Sequence, residues 1–418
     1  MRQPPETEGA TEMSSTTAVS TMARRCRVPL GVALGLVASV LVLPALDGDS
    51  TASVSSGPLL SDCDGAIDQL VIHYVRGADE IVGTVYCDFL RQLPAEVTVH
   101  VVCPDRPAYD ELTAEVGTTS CSLSPVILGH PITSWSRDRW LACAPAPGER
   151  TATVMSPRDE MGADIWPERA GDALVGDGLA AALGPADVAS VRSELYFDGG
   201  DFVADDQTVF VTPGVLLRNL QHTVETREQL LLRLSKAAQR DIVLLRDAPD
   251  HHAGMYMMPV GKRTVLVGDP EMVRELLAGE AGETAAHLCP PQGPDFRPET
   301  TSRFNAVAQQ CRAAGYRVIR IPVVPGRDGR TYVTYLNAIL DQRDGRRTVY
   351  MPVFDGADVL NRAAQDVWAR LGYDVRRVNC SACYMHFGSL RCLVNVLRRT
   401  ADLPRTLDDY TDKLDSTE

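Results

Sequence analysis

Four stretches of the chain repeat one order of polar and apolar positions: ERTATVMSPRDEM (149–161), DQTVFVTPGVLL (206–217), KRTVLVGDPEMV (262–273) and RRTVYMPVFDGAD (346–358). Each has a polar or basic lead-in, a Thr, an apolar run rich in β-branched residues, and then a Pro turn. Short apolar runs between breakers read as buried strands. Helical stretches follow most of them: VETREQLLLRLSKAAQ, PEMVRELLAG and LNRAAQDVWARLG. A second set of strands follows the helix ends: AEVTVHVVCP, QRDIVLLRD, AAGYRVIRIPVVP and RLGYDVRRVNCS. In the last two a Gly stands where a helix C-cap favours it. The unit is strand, strand, helix, strand, recurring roughly every 55 to 85 residues. Repeats of that length predict a propeller-like array, and helices outside the strands make it an α/β propeller. An ordinary α/β sheet with similar strands is the alternative.

The segments richest in chemistry hold a common place in this repeat. WSRDRW (135–140), FDGGDF (197–202), DHHAGMY (250–256) and TYLNAIL (334–340) each begin roughly 10 to 15 residues before a repeated strand. Equivalent positions of a pseudo-symmetric propeller converge on one axis. Asp138, Asp198, Asp201, His252 and Asn337 are therefore expected at one end of the molecule, joined by Cys392 of HFGSLRCLVNVL (386–397) from the last unit. Each has a plainer alternative. Asp138 pairs with Arg137 or Arg139, DGGD is a tight turn, His251 and His252 form a surface turn, or Cys392 is a core thiol.

Composition narrows the functions. The chain has 418 residues, 44% hydrophobic and 23% charged, ordinary for a globular protein. A net charge of −14 argues against binding a nucleic-acid backbone and favours cationic small molecules. Arg24, Arg25 and Arg27 precede an uncharged run from Val28 to Leu46, which reads as a secretory signal or an uncleaved anchor within an extension covering 1–46. A Ser/Gly-rich linker is expected over 47–62, the propeller over 63–403 and an acidic tail over 404–418. Export predicts that several of the ten cysteines after the signal pair as disulfides. Cys380 and Cys383 form a CxxC with no second CxxC or HxxxH, so a disulfide or neighbouring core thiols are expected rather than zinc.

A thiol, an imidazole and carboxylates in one pocket suit attack on a cationic sp² carbon. Carboxylates orient a guanidinium by paired hydrogen bonds, and positive charge beside a thiol favours the nucleophilic thiolate. The same residues carry a resemblance to the guanidino-group-modifying, or pentein, superfamily of agmatine, arginine and peptidylarginine deiminases and amidinotransferases. WSRDRW is similar to its W-x-R-D segment, FDGGDF to E-G-G-[DN], HHAGMY to H-x-D-[MT]-F, TYLNAIL to Y-x-N and GSLRCL to G-x-x-[HR]-C-[LIM]. The resemblance runs from about Asp68 to Arg399.

It implies a five-bladed α/β propeller in a single domain, with Cys392 as nucleophile, His252 as acid and base, and Asp138, Asp198, Asp201 and Asn337 binding substrate. It implies a deiminase that forms a covalent Cys thiouronium and needs no metal or organic cofactor. Its partner would be a small cationic guanidino compound or an arginyl peptide. Two positions depart from the pattern: Asp198 replaces the longer Glu, and Gly254 replaces the acid of H-x-D. A catalytically degenerate ligand-binding protein, an amidinotransferase and a papain-like Cys–His hydrolase remain as other readings.

Overall fold

The computed structural model describes residues 56–158, 167–278 and 287–400. Among the described residues the strands form five sheets. The four repeated segments occupy equivalent middle positions in four of them: β6 (Ala152–Ser156), β9 (Thr208–Val211), β12 (Thr264–Asp269) and β16 (Arg346–Val353). Each is preceded by an antiparallel partner: β5 (Leu141–Pro145), β8 (Phe202–Ala204), β11 (Met257–Pro259) and β15 (Ile339–Arg343). Each is followed, after helix, by a parallel partner: β7 (Val188–Arg192), β10 (Asp241–Leu244), β13 (Arg317–Pro325) and β17 (Tyr373–Asn379). This is the α/β propeller expected from the repeat, not one continuous sheet.

The fifth sheet has the order β18 (Val394–Thr400), β2 (Ala66–His73), β3 (Thr98–Cys103) and β4 (Ser122–Ile127). Its antiparallel first strand comes from the far end of the chain, with Val394 opposite Ile72 and Thr400 opposite Ala66. The last strand thus completes the blade begun by β2 near the other end of the described chain. No local pattern reports that pairing.

Local chemistry explains the elements. Thr226 caps helix Arg227–Ala238 by accepting from Gln229 N at 3.2 Å, and the helix buries Leu230, Leu234 and Ala238 on one stripe. Asp269 caps helix Pro270–Leu277, where Pro270 at the first position gives up no needed donor. Gly315 and Gly372 take positive φ beside the ends of helices Pro298–Ala313 and Asp358–Arg370, as expected for C-terminal glycines. Strand β9 is buried along its whole length. That is why it reads as an unbroken apolar run rather than an alternation.

Two expectations are corrected. Residues 56–62 do not form a linker. Ser56–Leu59 is strand β1, paired with β5, and Asp62 is largely buried against Arg391 and Arg137. Its Ser- and Gly-rich composition hides a short edge strand, because the burial comes from a distant part of the chain. The ten described cysteines are all free thiols. Most lie on separate elements of the core, and Cys380 and Cys383 are adjacent buried thiols in which Cys383 Sγ donates to Cys380 O at 3.5 Å. The signal or anchor segment and the acidic tail lie outside the described residues.

Candidate active site

The five chemistry-bearing segments stand directly before the strand of each sheet that runs antiparallel to its inner neighbour. WSRDRW precedes β5, FDGGDF runs into β8, DHHAGMY precedes β11, TYLNAIL runs into β15 and GSLRCL precedes β18. The topology therefore places them at matching corners.

Backbone contacts lock these corners together. Asp138 O accepts from Gly199 N at 2.7 Å, and Cys392 O accepts from Arg137 N at 3.2 Å. Arg137 is buried, donates to Asn395 Oδ1 at 2.7 Å and lies 3.6 Å from Asp62 Oδ1. It is thus a strut of the fold and not the partner of Asp138. Gly200 is required by close approach: a Cβ there would stand 2.3 Å from His252 Nδ1. Gly199 is needed for a different approach: a Cβ there would stand 2.6 Å from Trp140 O and closer still to Arg137 O.

Asp138, Asp198, His252, Cys392 and Asn337 come together. Asp138 Oδ1 is 4.0 Å from His252 Nδ1, and Asp198 Oδ2 is 3.9 Å from His252 Nε2. Burial alone would favour a neutral His252. The Asp198 carboxylate, a hydrogen bond with the Cys392 side chain and the charges of Asp138 and Asp201 outweigh it, holding the imidazole well above its usual range. Burial likewise opposes an ionised Asp198, but His252 with Arg169 and Arg218 holds it below the usual carboxylate range.

Cys392 lies in helical turn Leu390–Leu393 and is 4% exposed. Its N–H donates to Asn337 Oδ1 at 3.2 Å, so Asn337 positions the thiol through its backbone. Asn337 Nδ2 is buried without a hydrogen-bond partner.

Asp201 is differently employed. Its Oδ1 accepts from Thr212 Oγ1 at 2.8 Å, its Oδ2 accepts from Asp198 N at 2.8 Å, and Arg218 pairs with it. Both oxygens are engaged, by Asp198 N in the loop and by Thr212 and Arg218 beyond β9, so Asp201 supports Asp198 instead of facing outward. His251 is a fixed neutral link: its Nδ1 accepts from His252 N at 2.7 Å and its Nε2 donates to Phe387 O at 3.1 Å. Burial, then the charge on His252, pushes its pKa down to about 3.

Three contributors escaped the sequence reading. Arg169, on helix Pro167–Asp172, reaches Asp138 Oδ2 at 2.5 Å and Asp198 Oδ1 at 2.8 Å. Nothing in its WPERAGD surroundings marks it. Asp62 binds Arg391, the residue before Cys392, at 2.8 Å and 3.1 Å, and Arg391 also donates to Phe202 O at 2.8 Å. The third is Trp135, whose ring lies so close to Gly388 that a Cβ there would stand 2.3 Å from it. The Trp of WSRDRW and the Gly before Cys392 were both visible, but their contact was not. Among the described residues no His, Cys, Asp and Glu group is arranged to hold a metal ion.

The structure has the pentein fold, the α/β architecture shared by guanidino-group-modifying proteins. Agmatine deiminase of C. jejuni matches it with a TM-score of 0.58 at 13% identity, over 82% of this chain and 97% of that one. Agmatine deiminase of Enterococcus faecalis matches with a TM-score of 0.59 at 13% identity, over 82% and 96%. Identities this low establish a common fold. No protein-family model matches the chain, and no curated protein matches it in sequence.

Proposed function

We propose that the chain is a guanidino-group hydrolase of the deiminase type, acting on an arginine- or agmatine-like compound. One observation carries this reading: Asp138 and Asp198 hold a guanidinium, that of Arg169, while the same two carboxylates flank a charged His252 beside Cys392. The site is built to accept a planar cation next to a sulfur nucleophile.

In the proposed reaction the Cys392 thiolate adds to the guanidinium carbon. The carbon–nitrogen bond to a terminal amino group breaks as His252 gives that nitrogen a proton, and ammonia leaves. His252, now neutral, takes a proton from water as the water oxygen adds to the thiouronium carbon. The carbon–sulfur bond then breaks, returning the thiolate, while the hydroxyl on the carbon gives its proton to solvent and a neutral ureido product leaves. Asp138 and Asp198 orient the substrate, while Asn337, Asp201 and Arg391 position the reacting groups. The scheme calls for no metal or organic cofactor. The basic and apolar segment before the fold supports an exported protein, and export in turn favours peptidyl-arginine or an extracellular guanidine as substrate.

A second reading, a binding protein without turnover, is favoured by Gly254. Residue 254 carries no side chain, so the site has no carboxylate there to grip the substrate, and a Cβ at that position would lie 3.0 Å from Arg391 Nη1 and 3.2 Å from Asn337 Nδ2. Assaying ammonia and ureido product over agmatine, arginine and arginyl peptides separates the two. Product formation that disappears in Cys392→Ala supports the hydrolase. Binding without product, in the native chain and in variants with an opened site, supports the second reading.

A further inference from the structure

The guanidinium between Asp138 and Asp198 belongs to the protein itself. Arg169 spends its two terminal nitrogens on carboxylates from two different blades, Nη1 on Asp138 Oδ2 and Nη2 on Asp198 Oδ1. The opposite oxygens of the same carboxylates face the two nitrogens of His252. A guanidino substrate needs those carboxylates and that position, and one site cannot hold both planar cations.

The helix that presents Arg169 is anchored at its other end. Asp172 accepts from Thr133 N at 2.7 Å and from Thr133 Oγ1 at 2.6 Å, just before WSRDRW. His73 Nδ1 donates to Thr133 O at 3.0 Å, and both His73 and Asp172 are buried. The anchor is hydrogen-bonded and enclosed, whereas the Arg169 side chain is 23% exposed and has an outlet to solvent. A fixed base with a partly exposed, rotatable arm suits a group that must leave and return.

We propose that Arg169 is a built-in competitor for the guanidinium site, so that an external guanidino compound binds only by displacing it. The proposal rests on the guanidine-site reading above and adds a control on which ligands enter. A simple amine lacks the planar fork that bridges both carboxylates and displaces Arg169 poorly. If the open state is populated at about 1–10%, apparent affinity is weakened by about 10–100-fold.

The test is isothermal titration of agmatine and of 1,4-diaminobutane into full-length Cys392→Ala protein, with and without Arg169→Gln. The Cys392→Ala background stops turnover, so binding is read alone. Arg169→Gln should tighten agmatine by about 10–100-fold and tighten the diamine much less. Unchanged or weaker agmatine binding would overturn the proposal. Equal tightening of both ligands would overturn it too, because it would report only the loss of a positive charge. If Arg169→Gln melts far below its parent, Arg169→Lys decides: it keeps the charge, loses the fork and should still tighten agmatine several-fold. Conversion of Arg169 to citrulline in the native chain, read by peptide mass, would make the residue a substrate and also overturn its role as competitor. The two readings fail separately. Native turnover with no tightening removes the competitor and leaves the hydrolase, while tightening with no turnover in any active-Cys form does the reverse.

Discussion

His252 Nε2 stands 3.9 Å from Asp198 Oδ2, and this pair sets the charge of the reacting imidazole. The ring is partly buried, which opposes charge, yet the carboxylates and Cys392 hold it protonated well above the ordinary imidazole range. A raised value means that the paired state contributes stability below the unfolded value of about 6.5 and loses it as pH rises through the folded value. The alkaline limb of the kcat/KM profile should therefore lie well above 6.5. Asp198→Asn removes the carboxylate that contributes most to that rise and should move the limb down. A pH–rate profile of both proteins measures this, and an unmoved limb in the variant would detach Asp198 from the charge on His252.

His252→Ala should retain guanidine binding and lose on the order of 10²–10⁴ in kcat, the usual contribution of a general acid–base group. Steady-state kinetics with a parallel titration distinguish this from a binding defect. A rise in KM with unchanged kcat would remove His252 from the chemistry.

Gly254→Asp should not create a better guanidine site. Its Cβ would stand 3.0 Å from Arg391 Nη1, so the new carboxylate meets a buried guanidinium before it meets a ligand. Agmatine affinity is expected to stay the same or weaken. Calorimetry that shows tighter binding would mean that the acid reaches the ligand after all.

Asp62 and Arg391 join the start of the fold to the residue beside Cys392, at 2.8 Å. Burial opposes the Asp62 charge, but Arg391 and Arg137 outweigh it and lower its pKa. Removing one member of a buried pair strands the other. Asp62→Ala should cost about 3–5 kcal/mol in urea denaturation and lower activity with it. A loss under about 1 kcal/mol would place the pair among weakly contributing surface bridges.

The repeated strands were legible because two-sided burial leaves an unbroken apolar run, and because Pro and Gly mark where each run ends. The corner segments were legible for a related reason: catalytic side chains before equivalent strands must converge once the fold is cyclic. The β18–β2 pairing was not, since its strands lie some 320 residues apart in sequence. Asp62 looked like linker because its partner is Arg391, far along the chain. Arg169 was hidden more fully: its WPERAGD segment carries no apolar period and no motif, and only the structure shows which carboxylates it meets. Asp201 was found but expected to face a substrate, and the demand of the turn for an acceptor at Asp198 N explains where its oxygens went instead.

The central claim is that Cys392 forms a covalent bond to a guanidinium carbon. The direct measurement is peptide mass after rapid acid quench of the native chain and of Arg169→Gln during incubation with agmatine. The account predicts an adduct on Cys392 that retains the amidine carbon and has lost ammonia, accumulating further in Arg169→Gln. Ureido product forming while Cys392 stays unmodified and Cys392→Ala stays active would contradict it, as would an adduct on any other cysteine.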